Sequence, residues 1–260
     1  MSDLHELSGL DSIRLADLEM LSMTKYLLIV ICLLGTTSTA RADLDMWLTE
    51  VNTGSASSFV GTNYSTPTVV DIGYLFGERT YEFVVNAGET GSSALMADRV
   101  DNGWGIKFEQ WNNTQRFGIT EFGVADHTSN VPTPYNQDVH VAFVVRDFST
   151  SPFPGFEDYR TEIYLNGVYQ ETMGTSLGQL SGTTAVGGGL DANGVDFFDV
   201  LNGTVKGVAT YDVALSADEL LTHSSAYFTS VPEPSSLIGL MGILATGIVV
   251  ARVRRRAVTA

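Results

Sequence analysis

The sequence predicts an all-β domain over residues 43–230, set between a leader helix and a C-terminal membrane helix. Three observations carry this. The 260 residues hold 26 glycines, and short apolar runs are broken by clusters of Gly, Asn, Asp and Ser. Apolar and polar residues alternate with period two: Ile106 and Phe108 flank Lys107, Phe117 and Ile119 precede Thr120 and Glu121, and Ile163 and Leu165 flank Tyr164. The single cysteine, Cys32, lies ahead of the domain, so packing alone must hold the body together.

Taken from the N-terminus, the first 22 residues carry five acids against Arg14 alone, the wrong charge for a signal n-region. The stretch MTKYLLIVICLLGTTSTARA fits one: Lys25 is the basic n-region, Tyr26 to Gly35 the h-region, and Ala40-Arg41-Ala42 an A-x-A cleavage site. Met23 is therefore the expected start and residues 1–42 the leader, with an amphipathic helix over the first 22 residues as the alternative. Val30 and Ile31 precede Cys32 in place of the small residues a lipidation site needs.

Within the body, residues 49–66 read as loops around one short strand. VHVAFVV, Val139 to Val145, is nearly continuous in apolar residues, the pattern of a central strand covered on both faces. RTEIYLNGVYQETM reads as a hairpin, because Asn166 and Gly167 both tolerate the positive φ of a two-residue turn. Ser216 and Glu219 stand at capping-box spacing ahead of Leu220 and Leu221, so a helix of two to three turns begins there.

Pro234 to Ala251 is a run of eighteen uncharged residues, which as a helix reaches roughly 27 Å and just spans a bilayer. Arg252, Arg254, Arg255 and Arg256 follow it and hold the end of the chain in the cytoplasm, so the body is exported. Residues 43–230 carry 24 acidic and seven basic residues, a formal charge of −17. Such a surface repels nucleic acid and anionic lipid but not divalent cations or neutral polymers.

Pro232-Glu233-Pro234, the apolar span and the terminal arginines together resemble the PEP-CTERM sorting signal, over about the last 30 residues. The resemblance implies an exosortase-type processing enzyme at the inner membrane of a Gram-negative bacterium as partner, with transient membrane anchoring before release to the cell surface or extracellular matrix. In that reading Pro232, Glu233 and Pro234 are the recognition element, and Arg254, Arg255 and Arg256 stop transfer. An ordinary C-terminal anchor is the alternative.

The body, from a strand at Tyr81-Glu82-Phe83-Val84 through QDVHVAFVV, IYLNGVYQ and AVGGG to NGTVKGVATYDVALSADEL, resembles the laminin-G-like, concanavalin A-type domain. This resemblance covers roughly residues 81–228 and implies a jelly-roll β-sandwich of two antiparallel sheets.

Some relatives on this fold are glucanases with a carboxylate run of the form E-x-D-x-x-E, since retaining hydrolysis needs an acid and a nucleophile about 5 Å apart. No such run occurs here: Glu157-Asp158 are sequential neighbours facing opposite ways in a strand, and Asp43 and Asp45 are terminal. His127, His140 and His223 are the body's histidines, and no G-x-S-x-G elbow accompanies them. His140 reads as a strand-edge residue. LDANGVDFFD gathers Asp191, Asn193, Asp196 and Asp199, hard oxygen donors for Ca2+ or a solvated acidic turn. Trp104, Trp111 and Tyr135, in loop-rich stretches, are candidates for a sugar platform, with core packing as the other reading.

These observations lead to an exported, non-catalytic surface or matrix protein that binds glycan or other matrix components, with extracellular polysaccharide as the partner. A purely structural matrix protein and a glycosidase with an unrecognised site are the alternatives.

Overall fold

The computed structural model describes residues 44–53, 57–98, 103–151, 155, 157–180 and 182–228. The leader, with the Met23 start and the cleavage after Ala42, and the sorting tail from Val231 lie outside the described residues. Among the described residues no helix is long and apolar enough to cross a membrane.

In chain order the elements are helix α1 (Leu44–Thr53), strands β1 (Ser57–Tyr64), β2 (Thr68–Asp71), β3 (Arg79–Ala87), β4 (Ser93–Ala97), β5 (Trp104–Glu109), β6 (Arg116–Glu121), β7 (Ala125–Pro132), β8 (Val139–Asp147), β9 (Tyr159–Leu165), β10 (Val168–Met173), β11 (Thr183–Val186), β12 (Gly189–Leu190), β13 (Phe197–Phe198) and β14 (Gly203–Tyr211), and helix α2 (Ala217–Phe228). They build two six-stranded sheets, ordered β1-β14-β3-β8-β9-β10 and β2-β11-β4-β5-β6-β7, with β12 and β13 as a small separate pair. Every pairing is antiparallel. The sandwich expected from the sequence is the one observed.

Period two sorts the side chains. Tyr81, Phe83 and Val85 of β3 and Val141, Phe143 and Val145 of β8 meet Met96, Ile106, Phe108, Phe117 and Ile119 of the other sheet in the main core. The intervening residues Val84, Ala142 and Val144 point the other way, into a second apolar cluster with Trp47 and Val51 of α1 and Leu220 and Tyr227 of α2. β8 is apolar on both faces because one face sees a sheet and the other sees helices.

Helix α1 runs into residues 49–53, where the sequence suggests loops. Leu44, Trp47, Leu48 and Val51 lie at i, i+3, i+4 and i+7, so the helical period is present but only ten residues long. Its Trp47 ring rests on Gly207 of β14, where an added Cβ would come within 2.5 Å of it.

The hairpin and the second helix agree with their sequence signals. Asn166 (φ 50°) and Gly167 (φ 75°) make the two-residue turn between β9 and β10. The turn docks on α2: a Cβ at Gly167 would stand 2.4 Å from Leu221 Cα. Ser216 Oγ accepts from the Glu219 amide (3.3 Å) and Glu219 Oε2 accepts from the Ser216 amide (2.8 Å), closing the capping box.

His140, expected at a strand edge, is fully buried within β8. Its Nε2 lies 2.5 Å from Glu82 Oε1, and His223 of α2 places Nδ1 3.1 and 3.0 Å from the two oxygens of the same carboxylate. A fully buried carboxylate thus sits between two imidazoles, beneath the helix that covers the first sheet.

Candidate functional site

On the second sheet, Lys107 of β5, Thr120 of β6 and Asp126 of β7 project away from the main core, since Ile106, Phe108, Phe117 and Ile119 take the inward positions. Thr120 and Asp126 are register partners, and Thr120 Oγ1 donates to Asp126 Oδ1 (2.7 Å). Lys107 is buried to 1 % exposure and ion-pairs with Asp199, which follows β13. Burial pushes the Lys107 ammonium below its usual range, against the pull of Asp199 first and Asp126 second.

Two phenylalanines form the apolar part of this face. Phe122 packs on Gly105, where a Cβ would meet its ring at 2.9 Å, and Phe198 packs on Gly189, where a Cβ would meet its ring at 2.4 Å. The two rings touch edge to face at 5.2 Å. Here glycine leaves room for an aromatic ring above the strand.

Trp111 stands at the rim, 63 % exposed. The loop that carries it is fixed: Gln110 Oε1 accepts from the Trp111 amide (2.8 Å), Gln110 Nε2 donates to the Ile119 carbonyl (3.0 Å), and Thr114 Oγ1 donates to the Gln110 carbonyl (3.0 Å). Asn112, Asn113 and Gln115 of the same loop adopt positive φ of 71°, 57° and 55°. Trp111, Val124, Phe122, Phe198, Lys107 and Asp126 are among the residues around a pocket of about 540 Å³. It offers a flat exposed ring, an apolar floor and a wall of polar groups.

The three aromatic candidates from the sequence are not brought together. Trp104 packs partly buried against the main core and lies over Gly178, where a Cβ would be 2.1 Å from its Nε1. Tyr135 is partly buried and meets Phe108 edge to face at 6.1 Å. Trp111 alone of the three lines the pocket. The alternation in WGIKFE already places Trp104 on the side of Ile106 and Phe108, a signal the sequence reading left unused.

The four acidic-turn candidates also divide. Asp191 Oδ1 accepts from the amides of Val195 (3.0 Å) and Asp196 (3.2 Å), and Asn193 donates to Asp191 Oδ2 (3.1 Å). Those bonds, the Val195 amide first, hold the Asp191 carboxyl below its usual range. Asp191 therefore closes its own turn, with Gly194 at φ 68°, while Asp199 turns to Lys107. Among the described residues no group of three or more His, Cys, Asp or Glu side chains is arranged to hold a metal ion.

Residues 59–221 match the family model of the concanavalin A-like lectin/glucanases superfamily, reaching further toward the N-terminus than the motifs from Tyr81 onward. Residues 230–256 match the PEP-CTERM protein-sorting motif, which marks an exported protein sorted through the membrane and handled by an exosortase-type system. No curated protein matches the chain. Similar solved structures include the heptameric SAP-like pentraxin of Limulus polyphemus, 19 % identical, over 65 % of this chain and 81 % of that one at TM-score 0.46. The IT-sialidase CBM40 module of Ruminococcus gnavus, bound to α2,3 sialyllactose, is 14 % identical over 65 % of this chain and all of its own (100 %) at TM-score 0.47. The NanB sialidase of Streptococcus pneumoniae is 14 % identical over 68 % of this chain and 29 % of its own at TM-score 0.48.

Proposed function

We propose that this chain, which belongs to the concanavalin A-like lectin/glucanases superfamily, is a cell-surface or matrix protein that holds a saccharide in the pocket beside Trp111 without cleaving it. The exposed Trp111 ring carries the reading. A large flat ring kept in water by a hydrogen-bonded loop gains by being covered, and the carbon face of a pyranose suits it. Hydroxyl groups at the ring's edge would meet Asp126 and Glu121, the exposed and half-buried carboxylates of the wall.

Two of the three wall carboxylates are engaged, which supports binding without cleavage: Asp199 is tied to Lys107 and Asp126 accepts from Thr120, with Glu121 the third, whereas retaining and inverting glycosidases pair two carboxyls, one of them held protonated as the acid. Sorting through the PEP-CTERM motif would deliver the domain to the polymer outside the cell.

A glycan array on the purified protein and its Trp111→Ala variant tests this. Binding of a polysaccharide fragment by the parent, and its loss in the variant at unchanged melting temperature, is the expected result. No binding by the parent to any saccharide would leave a structural matrix protein, and release of reducing ends would make it a glycosidase.

A further inference from the structure

The segment joining β2 to β3 alternates between anchors and display. Ile72 and Leu75 are buried in the main core, while Tyr74 and Phe76 stand 67 % and 71 % exposed. Their rings lie 6.3 Å apart, centroid to centroid, with planes within 22°. The backbone beneath is pinned: Ile72 N donates to the Gly182 carbonyl (2.9 Å), Gly73 N to Asp71 Oδ1 (3.0 Å), and Arg79 Nη1 to the Gly77 carbonyl (2.5 Å). Gly73 and Gly77 both take φ 66°, which a side chain would resist. Two aromatic rings are thus held in water by a fixed loop.

Beside them lies a depression of about 420 Å³ lined by Asp71, Ile72, Gly73, Tyr74, Leu75 and Asp212. Gly182 leaves open the ground between carboxylate and ring, since a Cβ there would sit 3.3 Å from Asp71 Oδ1 and 3.7 Å from the Tyr74 ring. Two carboxylates, with no basic residue in the lining, and two ring faces share one preference. Both attract a cation, the carboxylates by charge and the rings by their quadrupole. The formal charge of −17 over residues 43–230 adds to it by drawing cationic polymers to the surface and turning uronate polymers away.

We propose that this depression is a second saccharide site, and that it takes an amino sugar: a hexosamine unit of a polysaccharide with its carbon face on Tyr74 or Phe76 and its ammonium on Asp71 and Asp212. If the Trp111 pocket also binds saccharide, the chain is bivalent, and this clause rests on the function proposed above. β2 and β6 are separated by four strand spacings in the order β2-β11-β4-β5-β6, about 19 Å across the sheet. Two sugars held on different strands of one sheet would let one molecule cross-link polymer.

The test is titration calorimetry of the purified protein with a short chitosan oligomer (β-1,4-linked glucosamine), its fully N-acetylated counterpart and an oligolysine of equal charge. The expected result is that the chitosan oligomer binds about tenfold or more tightly than either comparator, a difference of about 1.4 kcal/mol. The double variant Tyr74→Ala/Phe76→Ala, at two exposed positions, should lose about tenfold in that affinity with an unchanged melting temperature, and Gly182→Val should lose it by filling the floor. Trp111→Ala should leave it untouched. Equal binding by parent and double variant would reduce the effect to charge alone and overturn the proposal. Equal binding of oligolysine would make this a peptide site, and equal binding of the N-acetylated oligomer would remove the role of the carboxylates. Loss of chitosan binding in Trp111→Ala alone would end this proposal while leaving the Trp111 pocket standing.

Discussion

His223 Nδ1 lies 3.1 and 3.0 Å from the two carboxylate oxygens of Glu82, and this contact ties helix α2 to the sheet it covers. Burial alone would lower the His223 pKa, yet the hydrogen bond to Glu82 and its charge, with Glu50 of α1 and Glu219 of α2, raise it above the usual histidine value. Burial would raise Glu82, but the charges and hydrogen bonds of His140 and His223 hold it down at about 2. Tyr211, stacked 6.1 Å from His223, is raised by burial and by Glu82 and stays neutral.

The sign of the pH dependence follows. His223 binds its proton more tightly folded than unfolded, so its contribution is complete below the ordinary value of 6.5 and is lost as pH rises through the folded value. Glu82 contributes fully above 4.5 and loses its share as pH falls toward about 2. Melting temperature should peak between these limits and decline on the alkaline side, and His223→Gln should be less stable at the peak and lack that decline. A parent melting temperature that climbs steadily from mildly acid to alkaline pH would show that His223 is not charged in the fold.

The turn between β9 and β10 gives a second prediction. Gly167→Ala places a methyl at φ 75° and 2.4 Å from Leu221 Cα, adding about 1–3 kcal/mol of backbone strain before any displacement of α2. Asn166→Val puts a β-branched residue at φ 50° and deletes the Asn166 Oδ1 acceptor of the His140 amide (3.0 Å), a loss of about 1–2 kcal/mol. Urea unfolding should rank parent above Asn166→Val above Gly167→Ala. An unchanged midpoint in Gly167→Ala would mean that the turn and helix are not in contact in solution.

What the sequence makes legible here is local. Asn166-Gly167 and Ser216 to Glu219 each settle their structure within a few residues, and the nearly continuous apolar run of β8 announces cover on both faces. Glu82, His140 and His223 carry no such signal, because 58 and 141 residues separate Glu82 from its partners in the chain. Register brings the first pair together: Glu82 opposes Ala142 and His140 opposes Val84, so the two are diagonal neighbours on one face. The candidate site was legible in one residue of three, since Trp111 stands in a loop while Trp104 follows strand parity inward. Lys107 and Phe198 were missed, as a lysine in an alternating strand reads as solvent-facing until Asp199 folds over it.

That ion pair supplies a third prediction. Asp199→Ala leaves the Lys107 ammonium buried without its main partner, and breaking a buried pair from one side costs about 3–5 kcal/mol. Lys107→Met alone removes the buried charge and leaves Asp199, whose side chain is 17 % exposed, able to reach water. Asp199→Ala should therefore be the more destabilising single change, and Lys107→Met added to it should recover most of the loss in denaturant melts. Equal cost for both single variants with no recovery would place the pair's importance in shape and not in charge.

The last prediction concerns the sorting motif over residues 230–256. If the Pro232-Glu233-Pro234 triplet is read by a processing enzyme outside the inner membrane, the cut lies just ahead of the uncharged run from Pro234 to Ala251, and the mature protein loses that run with the arginines behind it. Residues 43–230 hold no other apolar run of such length and carry a formal charge of −17, so nothing in their composition would keep the processed form in a bilayer. A plain anchor behaves differently, for then Leu237 to Val250 stays in the membrane fraction whatever becomes of the triplet. Glu233→Ala separates the two, since it leaves hydrophobic length and the cytoplasmic arginines intact and changes the recognition element alone. In the native host the parent should be shortened and released or moved to the cell surface, and the variant should accumulate at full length in the membrane. Intact mass spectrometry that finds the parent still ending in Ala260 would overturn processing and leave a membrane-held sandwich.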